Sequence, residues 1–413
     1  MKILHINTSD TNGGAAIAAL RLHRAMLAEG LDSYFFCLNR SITDDERILS
    51  ISGSKKYFVK FSNILKNKIF QKFNLKPDKG IFSSFNIGYS IKKAVNLNDF
   101  DIIYLHWVNG QFINFKSLEE ILKTGKKVYW FMHDMFPITG GCHYAFDCQG
   151  FKNSCGSCPN LKKPSNKDFS YKQLKKKIKL LSKYPNLSFV GPSKWLSQMA
   201  SAAALCKGHK VYHIPNVLDS SIFKPSDKAF CRNLLNLSQD KKIILFGAQS
   251  ALTNVYKGFS YLKDAMDILA KDSEIAKDSI QVLLFGSSYN KEIADLLPFD
   301  CRFLGTIHDE VALNLIYNSA DLFCIPSLQE NFANTIMESI HCHTPVVGFD
   351  VGGIPDNVGP DTGYLAEYKN AADLAKGIKT ILKGDKKFEF NYLENVTVKK
   401  VISEHKKMWS ESK

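Results

Sequence analysis

The chain alternates short apolar runs with helix-length amphipathic stretches from one end to the other. This alternation is typical of repeated β–α–β units, whose parallel strands are buried on both faces. It therefore predicts the α/β fold class. Strands are expected at residues 2–7, 33–38, 102–106, 127–133 and 188–192 in the first half. In the second half they are expected at residues 241–247, 281–285, 302–304, 322–326 and 345–349.

The two halves follow one plan, and 413 residues are enough for two domains. Residues 213–225 contain two prolines and interrupt the pattern, so we place the boundary there. We expect a first domain at residues 1–213, a second at 214–389, and a helical tail at 390–413 that packs back on the first domain. Both domains are expected to be Rossmann-like, each with a doubly wound parallel sheet, and to face each other across a cleft.

Lysine and arginine number 54 against 40 acids, which gives a net charge of +14 and favours an anionic partner. The amino terminus has no basic leader or cleavage site, and no apolar run reaches the length of a membrane span. We therefore expect a cytoplasmic protein. Its ten cysteines are expected to be reduced, and a tight cysteine cluster would be a metal-site candidate.

The most informative segment is residues 326–356, between two expected strands. Glu330 and Glu338 are eight residues apart, which on a helix would place both carboxylates roughly on one face. Carboxylates accept hydrogen bonds from sugar and ribose hydroxyls, and a helix amino terminus between them would favour a diphosphate. The residues expected at that terminus are Asn331, Phe332, Ala333, Asn334 and Thr335. A glutamate pair at this spacing, taken alone, is more often part of a capped helix with two solvated carboxylates.

In its context the segment resembles glycosyltransferase family 4, a retaining family with the GT-B fold, and the resemblance covers nearly the whole chain. The matching positions are Pro326, Ser327, Glu330, Glu338, Pro345, Val346, Val347, Gly352 and Gly353. The resemblance implies that Glu330 contacts the transferred sugar and Glu338 the ribose, while the amides of Asn334 and Thr335 meet the diphosphate. Asn331, Ala333 and Asp356 depart from the usual residues of the family.

A second matching element is Lys257 followed by Gly258, at the lysine with which the family neutralises the donor diphosphate. A cation there is useful because the leaving nucleoside diphosphate gains charge. The arginine that usually assists is replaced by Gln249, so phosphate binding would depend more on Lys257. The alternative is a surface lysine at a helix start.

Thr306 and Ile307 resemble the backbone positions of the family that read the base of the nucleotide, although a tight turn also explains the glycines nearby.

In the first half, Gly13 and Gly14 follow a strand and allow a ligand to approach the backbone closely. They do not form the dinucleotide fingerprint, so NAD is disfavoured. The resemblance implies that this loop reaches the donor phosphates, whereas the alternative is a plain turn.

His133 ends another strand at the position of a family histidine near the transferred sugar, and Asp134 is expected to orient its imidazole. A buried structural histidine is the alternative.

Four cysteines follow closely, at Cys142, Cys148, Cys155 and Cys158. The last two are spaced as in a tetrahedral metal site, so we hypothesise a structural zinc, with reduced thiols or a disulfide as the alternatives. Residues 133–161 resemble a subgroup of family 4 from bacterial surface-polysaccharide pathways, including colanic-acid-type transferases.

Two runs in the first half are strongly basic. Residues 55–93 hold ten lysines and one acid, and residues 162–183 hold nine lysines and one acid. Apolar residues recur at helical spacing in the first run, at Phe58, Phe61, Leu65, Ile69 and Phe73. This pattern suits a peripheral helix on an anionic membrane, or a helix that faces the core with a solvated lysine face. Nucleic acid is disfavoured because no binding module is present.

The resemblance implies a retaining glycosyltransferase that moves a sugar from a nucleotide-sugar donor to a saccharide acceptor. The subgroup points to a lipid-linked acceptor in exopolysaccharide or lipopolysaccharide synthesis at the inner face of the membrane. No D-x-D sequence ends a strand, so no metal cofactor is expected in catalysis. The alternatives are a nucleotide-sugar epimerase of the same fold and a nucleotide-sugar-binding protein without transfer activity.

Overall fold

The computed structural model describes residues 1–51, 55–76, 80–92, 94–247, 254–286 and 288–411, except for the side chains of residues 55–60 and 395. The chain divides into two compact units. The first contains Met1–Val217 together with Lys399–Lys413, and the second contains Leu218–Val398.

The first unit is built on a parallel sheet of seven strands. The strands are β1 (Lys2–Ser9), β2 (Asp32–Asn39), β3 (Ile48–Ser50), β4 (Ile102–Leu105), β5 (Lys127–Phe131), β6 (Leu187–Gly191) and β7 (Val211–His213). They lie in the order β3-β2-β1-β4-β5-β6-β7. Its helices up to the domain boundary are α1 (Gly14–Ala28), α2 (Lys55–Asn74), α3 (Phe115–Leu122), α4 (Phe169–Leu181) and α5 (Lys194–Ala202).

The second unit contains a parallel sheet of six strands. The strands are β8 (Lys242–Gly247), β9 (Ile280–Phe285), β10 (Asp300–Phe303), β11 (Leu322–Ile325), β12 (Val346–Phe349) and β13 (Gly363–Ala366). Their order is β10-β9-β8-β11-β12-β13. The helices are α6 (Lys228–Leu234), α7 (Phe259–Leu269), α8 (Lys291–Leu296), α9 (Glu310–Ser319), α10 (Asn334–His341) and α11 (Ala371–Lys383). Two Rossmann-like parallel-sheet domains confirm the predicted fold class.

The last helix, α12 (Val398–Glu411), belongs to the first unit. Trp409 Nε1 donates to the Tyr104 hydroxyl at 2.7 Å, and Lys127 Nζ donates to the Trp409 carbonyl at 2.7 Å. His405 is fully buried, with Nδ1 at 2.8 Å from the Tyr104 hydroxyl. The helix is thus attached to β4 and β5 by polar contacts as well as by apolar packing.

The structure differs from the sequence-based expectation at short elements. The units divide after Val217, whereas the expected boundary followed residue 213. Three strands were not expected, namely β3, β7 and β13. Each lies at an edge of its sheet and is only partly buried, so its apolar pattern is weak. Among the helices in the described ranges, none is long and apolar enough to cross a bilayer.

Candidate functional site

In the second unit, the loops that follow β8 and β11 meet at the carboxyl edge of the sheet. These two strands are neighbours in the sheet, and the loops after them lead into the helices α7 and α10. In open α/β sheets, ligands bind in the crevice at this edge, where the strand order reverses. Lys257 lies in the loop after β8 and Glu330 in the loop after β11, so both expected donor-site residues are at the edge where a ligand would bind.

Lys257 and Glu330 form an ion pair. Lys257 Nζ donates to Glu330 Oε2 at 2.8 Å, and the two side chains are 31% and 13% exposed. The pair is therefore partly shielded from water, where charges interact more strongly than they do at a fully exposed surface. A ligand anion arriving here would meet a cation that is already fixed in place.

Two glycines allow the backbones around this pair to approach closely. Gly258 has φ +68°, and a Cβ there would lie 1.8 Å from the Pro326 carbonyl oxygen. Gly352 has φ +61°, and a Cβ there would lie 2.2 Å from the Glu330 carbonyl oxygen, which also accepts from the Gly353 amide at 3.0 Å. Larger residues would push the loops apart, so the glycines set the position of the ion pair.

The α10 helix begins at Asn334, four residues after Glu330. Ala333 precedes it and has no polar side chain to cap the first amides, which is the arrangement that suits an anion at a helix amino terminus. Thr335 is in the first turn and is partly buried, and Asn331 and Phe332 are buried. Close by in the chain, Ser327 Oγ is buried without a hydrogen-bond partner among the described residues.

Glu338 is buried within α10, and its Oε2 accepts from the Tyr317 hydroxyl at 2.8 Å. Glu330, in contrast, lies in the loop before the helix. The helical spacing that was expected to put both glutamates on one face therefore does not apply, because only Glu338 is helical. Glu330 lies at the strand edge because it follows β11, and its carbonyl oxygen accepts from the Gly353 amide at 3.0 Å.

The segments expected to read the base follow β10. Thr306 is exposed and Ile307 is partly buried, and the preceding turn is tied to the neighbouring strand end by the Gly286 amide, which donates to the Gly305 carbonyl at 2.8 Å. Gln249 and Ser287 lie outside the described residues.

In the first unit, Gly13 and Gly14 are exposed at the carboxyl end of β1, where Gly13 caps α1. The turn is held by the Ser9 hydroxyl, which accepts from the Asn12 amide at 3.1 Å. The carboxylate of Asp10 beside it accepts from the Ser41 amide at 2.6 Å. These hydrogen bonds hold the residues next to the glycine loop in place, and the two glycines themselves are exposed to solvent.

His133 follows β5 and is partly buried. Its Nε2 lies 3.0 Å from His106 Nδ1, and burial lowers its pKa to about 4. His133 is therefore a neutral imidazole near pH 7.

Asp134 does not play the expected part. Its Oδ2 lies 2.6 Å from His143 Nδ1 and accepts from Trp107 Nε1 at 2.9 Å, so its hydrogen bonds orient His143 and Trp107. Burial acts to raise the pKa of Asp134, but the charge and hydrogen bond of His143 and the Phe136 amide outweigh it and lower that pKa. His143 Nε2 in turn lies 2.8 Å from the Ser83 hydroxyl. No sequence motif indicated His106, His143 or Ser83.

The four cysteines of residues 142–158 line one cavity of about 20 Å³, and all ten cysteines are free thiols. Within the described ranges, no three His, Cys, Asp or Glu side chains are arranged to hold a metal ion. Lys177 is fully buried nearby and donates to the Thr139 carbonyl at 3.0 Å, and burial lowers its pKa to about 7. The second basic run is thus not wholly a surface feature.

The helix α2 presents apolar side chains to solvent. Phe61 is 70% exposed, Leu65 50%, Ile69 49% and Phe73 67%. The ring of Phe70, on another side of the helix, packs at a tilt against that of Phe169, with centroids 4.7 Å apart. The side chain of Phe58 lies outside the described residues. Of the two alternatives for this helix, the exposed stripe is inconsistent with one that buries these residues in a core.

Comparison with known proteins finds glycosyltransferases that are similar to the second unit. Residues 241–384 match the family model described as "Glycosyl transferases group 1". A D-inositol 3-phosphate glycosyltransferase from Geodermatophilus obscurus is 29% identical over 185 residues, 41% of this chain and 39% of the relative. The putative colanic acid biosynthesis glycosyl transferase WcaC of Escherichia coli is 26% identical over 168 residues, 39% of this chain and 40% of the relative. The chain thus spans about two fifths of the length of these relatives.

The whole chain also resembles solved structures. Anabaena Alr3699/HepE, in complex with UDP and glucose, superposes with a TM-score of 0.61 at 16% identity, covering 100% of both chains. At that identity the likeness concerns the fold. Over residues 241–384 the second unit is similar to the Glycosyl transferases group 1 family, and the two Rossmann-like units match the GT-B fold of the glycosyltransferase structures that this chain resembles.

Proposed function

We propose that this protein is a retaining glycosyltransferase that moves a sugar from a nucleoside diphosphate donor to a saccharide acceptor. The observation that carries the proposal is the pair of Lys257 Nζ and Glu330 Oε2, 2.8 Å apart, with Glu330 four residues before the start of α10. The UDP bound to the Anabaena protein makes uridine diphosphate sugars the first donors to test. The WcaC relative, named for colanic acid biosynthesis, supports a role in polysaccharide synthesis. We propose a lipid-linked saccharide of the cell surface as the acceptor.

In this proposal, Lys257 and the first amides of α10 hold the diphosphate without a divalent metal ion. The bond between the sugar C1 and the phosphate oxygen breaks, and the acceptor oxygen forms a new bond to C1 on the same face. The acceptor proton passes to the leaving diphosphate. Negative charge grows on that group as the bond breaks, so the fixed cation and the helix amides stabilise the transition state more than the bound donor.

The remaining residues have positioning roles. Glu330 accepts hydrogen bonds from the transferred sugar, and Glu338, itself held by Tyr317, accepts from the ribose. The backbone at Thr306 and Ile307 reads the base. In the first unit we assign the Gly13 and Gly14 loop to the phosphates and His133 to the transferred sugar.

The test is binding followed by transfer. The full chain is screened by thermal shift against nucleoside diphosphates and their sugars, because a ligand that binds only the folded state raises its stability. We expect one nucleoside diphosphate and its sugar to raise the melting temperature, and that donor to support transfer to a lipid-linked saccharide extract. Absence of any nucleotide effect would contradict the proposal. Release of an isomerised free sugar would identify an epimerase, and binding without turnover a binding protein.

We also propose that α2 lies on an anionic lipid surface at the inner face of the membrane. Four exposed apolar side chains recur along the helix, at Phe61, Leu65, Ile69 and Phe73. Exposed lysines lie between them, at Lys66, Lys68 and Lys72, and residues 55–76 contain no acid. An amphipathic helix of this kind gains from buried apolar area and from attraction to anionic lipid, at roughly 1 kcal/mol for each lysine near the surface.

Vesicle sedimentation tests this placement. The chain is expected to bind phosphatidylglycerol vesicles and to dissociate from them at high salt, and to bind phosphatidylcholine vesicles more weakly. Phe61→Ser with Phe73→Ser should reduce binding at least about tenfold. Phe230→Ser is the matched control, because Phe230 is 57% exposed on α6 in the second unit. Equal losses in the two variants would count against α2 as the lipid-binding element.

For the four cysteines, we propose a structural zinc ion. Four thiols around one small cavity supply the ligand set that zinc prefers, and the Gly140 and Asn160 amides donate to the sulfurs of Cys155 and Cys158. Zinc would draw the thiols together as thiolates. Metal analysis of protein purified without chelator should find one zinc per chain, lost in Cys155→Ser with Cys158→Ser. Metal-free protein with four alkylatable thiols at these positions would refute the site.

A further inference from the structure

Three histidine rings form a continuous row inside the first unit. His5 Nδ1 lies 2.9 Å from His106 Nε2, and His106 Nδ1 lies 3.0 Å from His133 Nε2. His5 is in β1, His106 follows β4 and His133 follows β5. Because β4 pairs with both β1 and β5, the sheet order itself brings the rings side by side.

The row lies in surroundings that keep its members uncharged. His5 is fully buried, and its ring stacks on Tyr104 with centroids 5.0 Å apart. Burial, followed by the neighbouring imidazoles, lowers the pKa values of His5 and His106. Each ring therefore carries one N–H near neutral pH, and each contact in the row is one N–H donating to one lone pair.

A row of neutral imidazoles has only two possible directions. In one, His133 Nε2–H donates to His106, His106 donates to His5, and His5 Nε2–H points into the protein. In the other, His5 Nδ1–H donates to His106, His106 Nδ1–H donates to His133 Nε2, and His5 Nε2 keeps a lone pair. The two directions differ in whether His5 Nε2 carries a proton.

The end of the row at His5 decides between these directions. His5 Nε2 is buried and has no hydrogen-bond partner within the part of the chain that the structure describes. A buried N–H without an acceptor is rarer in proteins than an acceptor that is not fully used. The second direction is therefore favoured, and it places a proton on His133 Nδ1 and a hydrogen bond on His133 Nε2.

We propose that His106 and His5 are positioning residues that hold His133 as the Nδ1–H tautomer, so that His133 meets the sugar as a neutral hydrogen-bond donor and not as a proton acceptor. The assignment to sugar rests on the proposed function, whereas the tautomer does not. Neither nitrogen is then available as a base, because Nδ1 carries a proton and the Nε2 lone pair is occupied by His106.

Nuclear magnetic resonance of the full chain with ¹⁵N-labelled histidine tests the row directly. The His133 signals are identified by their loss in His133→Gln. We expect the His133 proton on Nδ1 in the native chain. In His106→Phe, which removes the donor to Nε2, that preference should disappear. In His106→Gln, whose side-chain amide still donates, it should remain, and His5→Phe provides a second break in the row.

Kinetics then separate positioning from general structural damage. His106→Phe should lower kcat about tenfold with the donor KM little changed, and His106→Gln should recover most of that loss. His209→Phe is the matched control, because His209 lies in the same unit with Nδ1 at 3.1 Å from the Leu187 carbonyl. It should leave both kcat and the His133 tautomer unchanged.

Two results would overturn the proposal: a proton on Nε2 of His133 in the native chain, or the same tautomer in His106→Phe and His106→Gln. A chain that shows the Nδ1–H tautomer but transfers no sugar would leave the row standing and overturn the proposed function. The tautomer proposal and the proposed function can therefore be refuted separately, the first by the NMR measurement and the second by the transfer assay.

Discussion

The ion pair of the second unit and the histidine row of the first unit lie in opposite surroundings. In the second unit, Lys257 and Glu330 form a charged pair that solvent still reaches. In the first unit, polar side chains are enclosed, including the imidazoles of His5, His23, His106 and His405 and the amine of Lys177, each at 0–2% exposure. Charged groups at an open edge attract an ionic ligand, whereas enclosed groups must remain neutral or fully paired. The units should therefore respond differently to acid and to mutation.

The largest expected effect is selective loss of the first unit in mild acid. Burial lowers the pKa of His23 and of His133 to about 4, and that of His405 to about 3. Below the unfolded pKa near 6.5, the unfolded chain binds protons that the folded chain does not, so the free energy of unfolding falls as pH drops from there toward 4. A shift to about 4 costs roughly 3 kcal/mol for one fully buried histidine.

The stability of the second unit is expected to fall mainly at a lower pH than that of the first unit. Hydrogen bonds from Lys379 and Gln281 lower the pKa values of Asp272 and Asp300 below 3.8. Their contribution is present above that value and is lost only as pH falls through the lowered pKa values. The exposed His343, whose pKa burial also lowers, adds a smaller effect.

Hydrogen exchange near pH 7 and near pH 5, corrected for the intrinsic rate, measures this difference between the units. Peptides of the β1, β4 and β5 strands should lose protection at the lower pH, and peptides of β8 and β11 should keep it. Equal loss in both units, or earlier loss in the second, would contradict the comparison.

Next in size is the loss of the cation in the second unit. Lys257→Ala should weaken nucleoside diphosphate binding and lower kcat together, with kcat/KM reduced about a hundredfold, or roughly 3 kcal/mol, because one charge serves the donor and the leaving group. Calorimetry and transfer assays measure the two effects. Lys263→Ala is the control, since Lys263 pairs with Asp267 at 2.6 Å on α7. Native behaviour of Lys257→Ala would mean that the phosphates bind elsewhere.

The same contrast explains what the sequence could predict. Lys257 with Gly258, and Glu330 with Gly352, lie in short loops after strands, so local pattern and family resemblance were enough to find them. The contacts of His106 with His133 and of His5 with His106 span 27 and 101 residues. They depend on strand order, which no local pattern carries. Asp134 adjoins His133 in sequence, yet its carboxylate lies against His143, because adjacent residues on a strand end point in different directions.

A smaller effect is expected at Glu330. Glu330→Gln keeps the size of the side chain and leaves Lys257 free to meet the diphosphate, so donor binding should change little. Transfer should fall by about tenfold, or roughly 1.4 kcal/mol in the barrier, since a neutral amide stabilises a cationic sugar less well than a carboxylate does. Single-turnover kinetics with saturating donor isolates this step. Wild-type turnover would remove Glu330 from the sugar site.

The smallest effect concerns the support of Glu338. Tyr317→Phe removes the hydroxyl that donates to Glu338 Oε2 at 2.8 Å and changes little else, because the ring packs between Phe285 and Phe323. A hydrogen bond to a charged group contributes roughly 1.5–3 kcal/mol, but the carboxylate has other donors within reach once ribose is bound, so we expect a loss of about fivefold in donor affinity. The kcat at saturation should stay within about twofold, since the hydroxyl acts on ribose and not on the reacting carbon.

Tyr364→Phe is the control for that measurement, because it removes a similar bond, from the Tyr364 hydroxyl to Asp373 at 2.7 Å in the same unit. Donor affinity measured by calorimetry should fall in Tyr317→Phe alone. Equal affinity in the two variants would show that Glu338 does not need Tyr317 to hold the ribose, and a fall in kcat with unchanged affinity would move Glu338 from the ribose toward the reacting sugar. Either result would sharpen the comparison, since both concern a buried polar contact in the unit whose Lys257–Glu330 pair is reached by solvent.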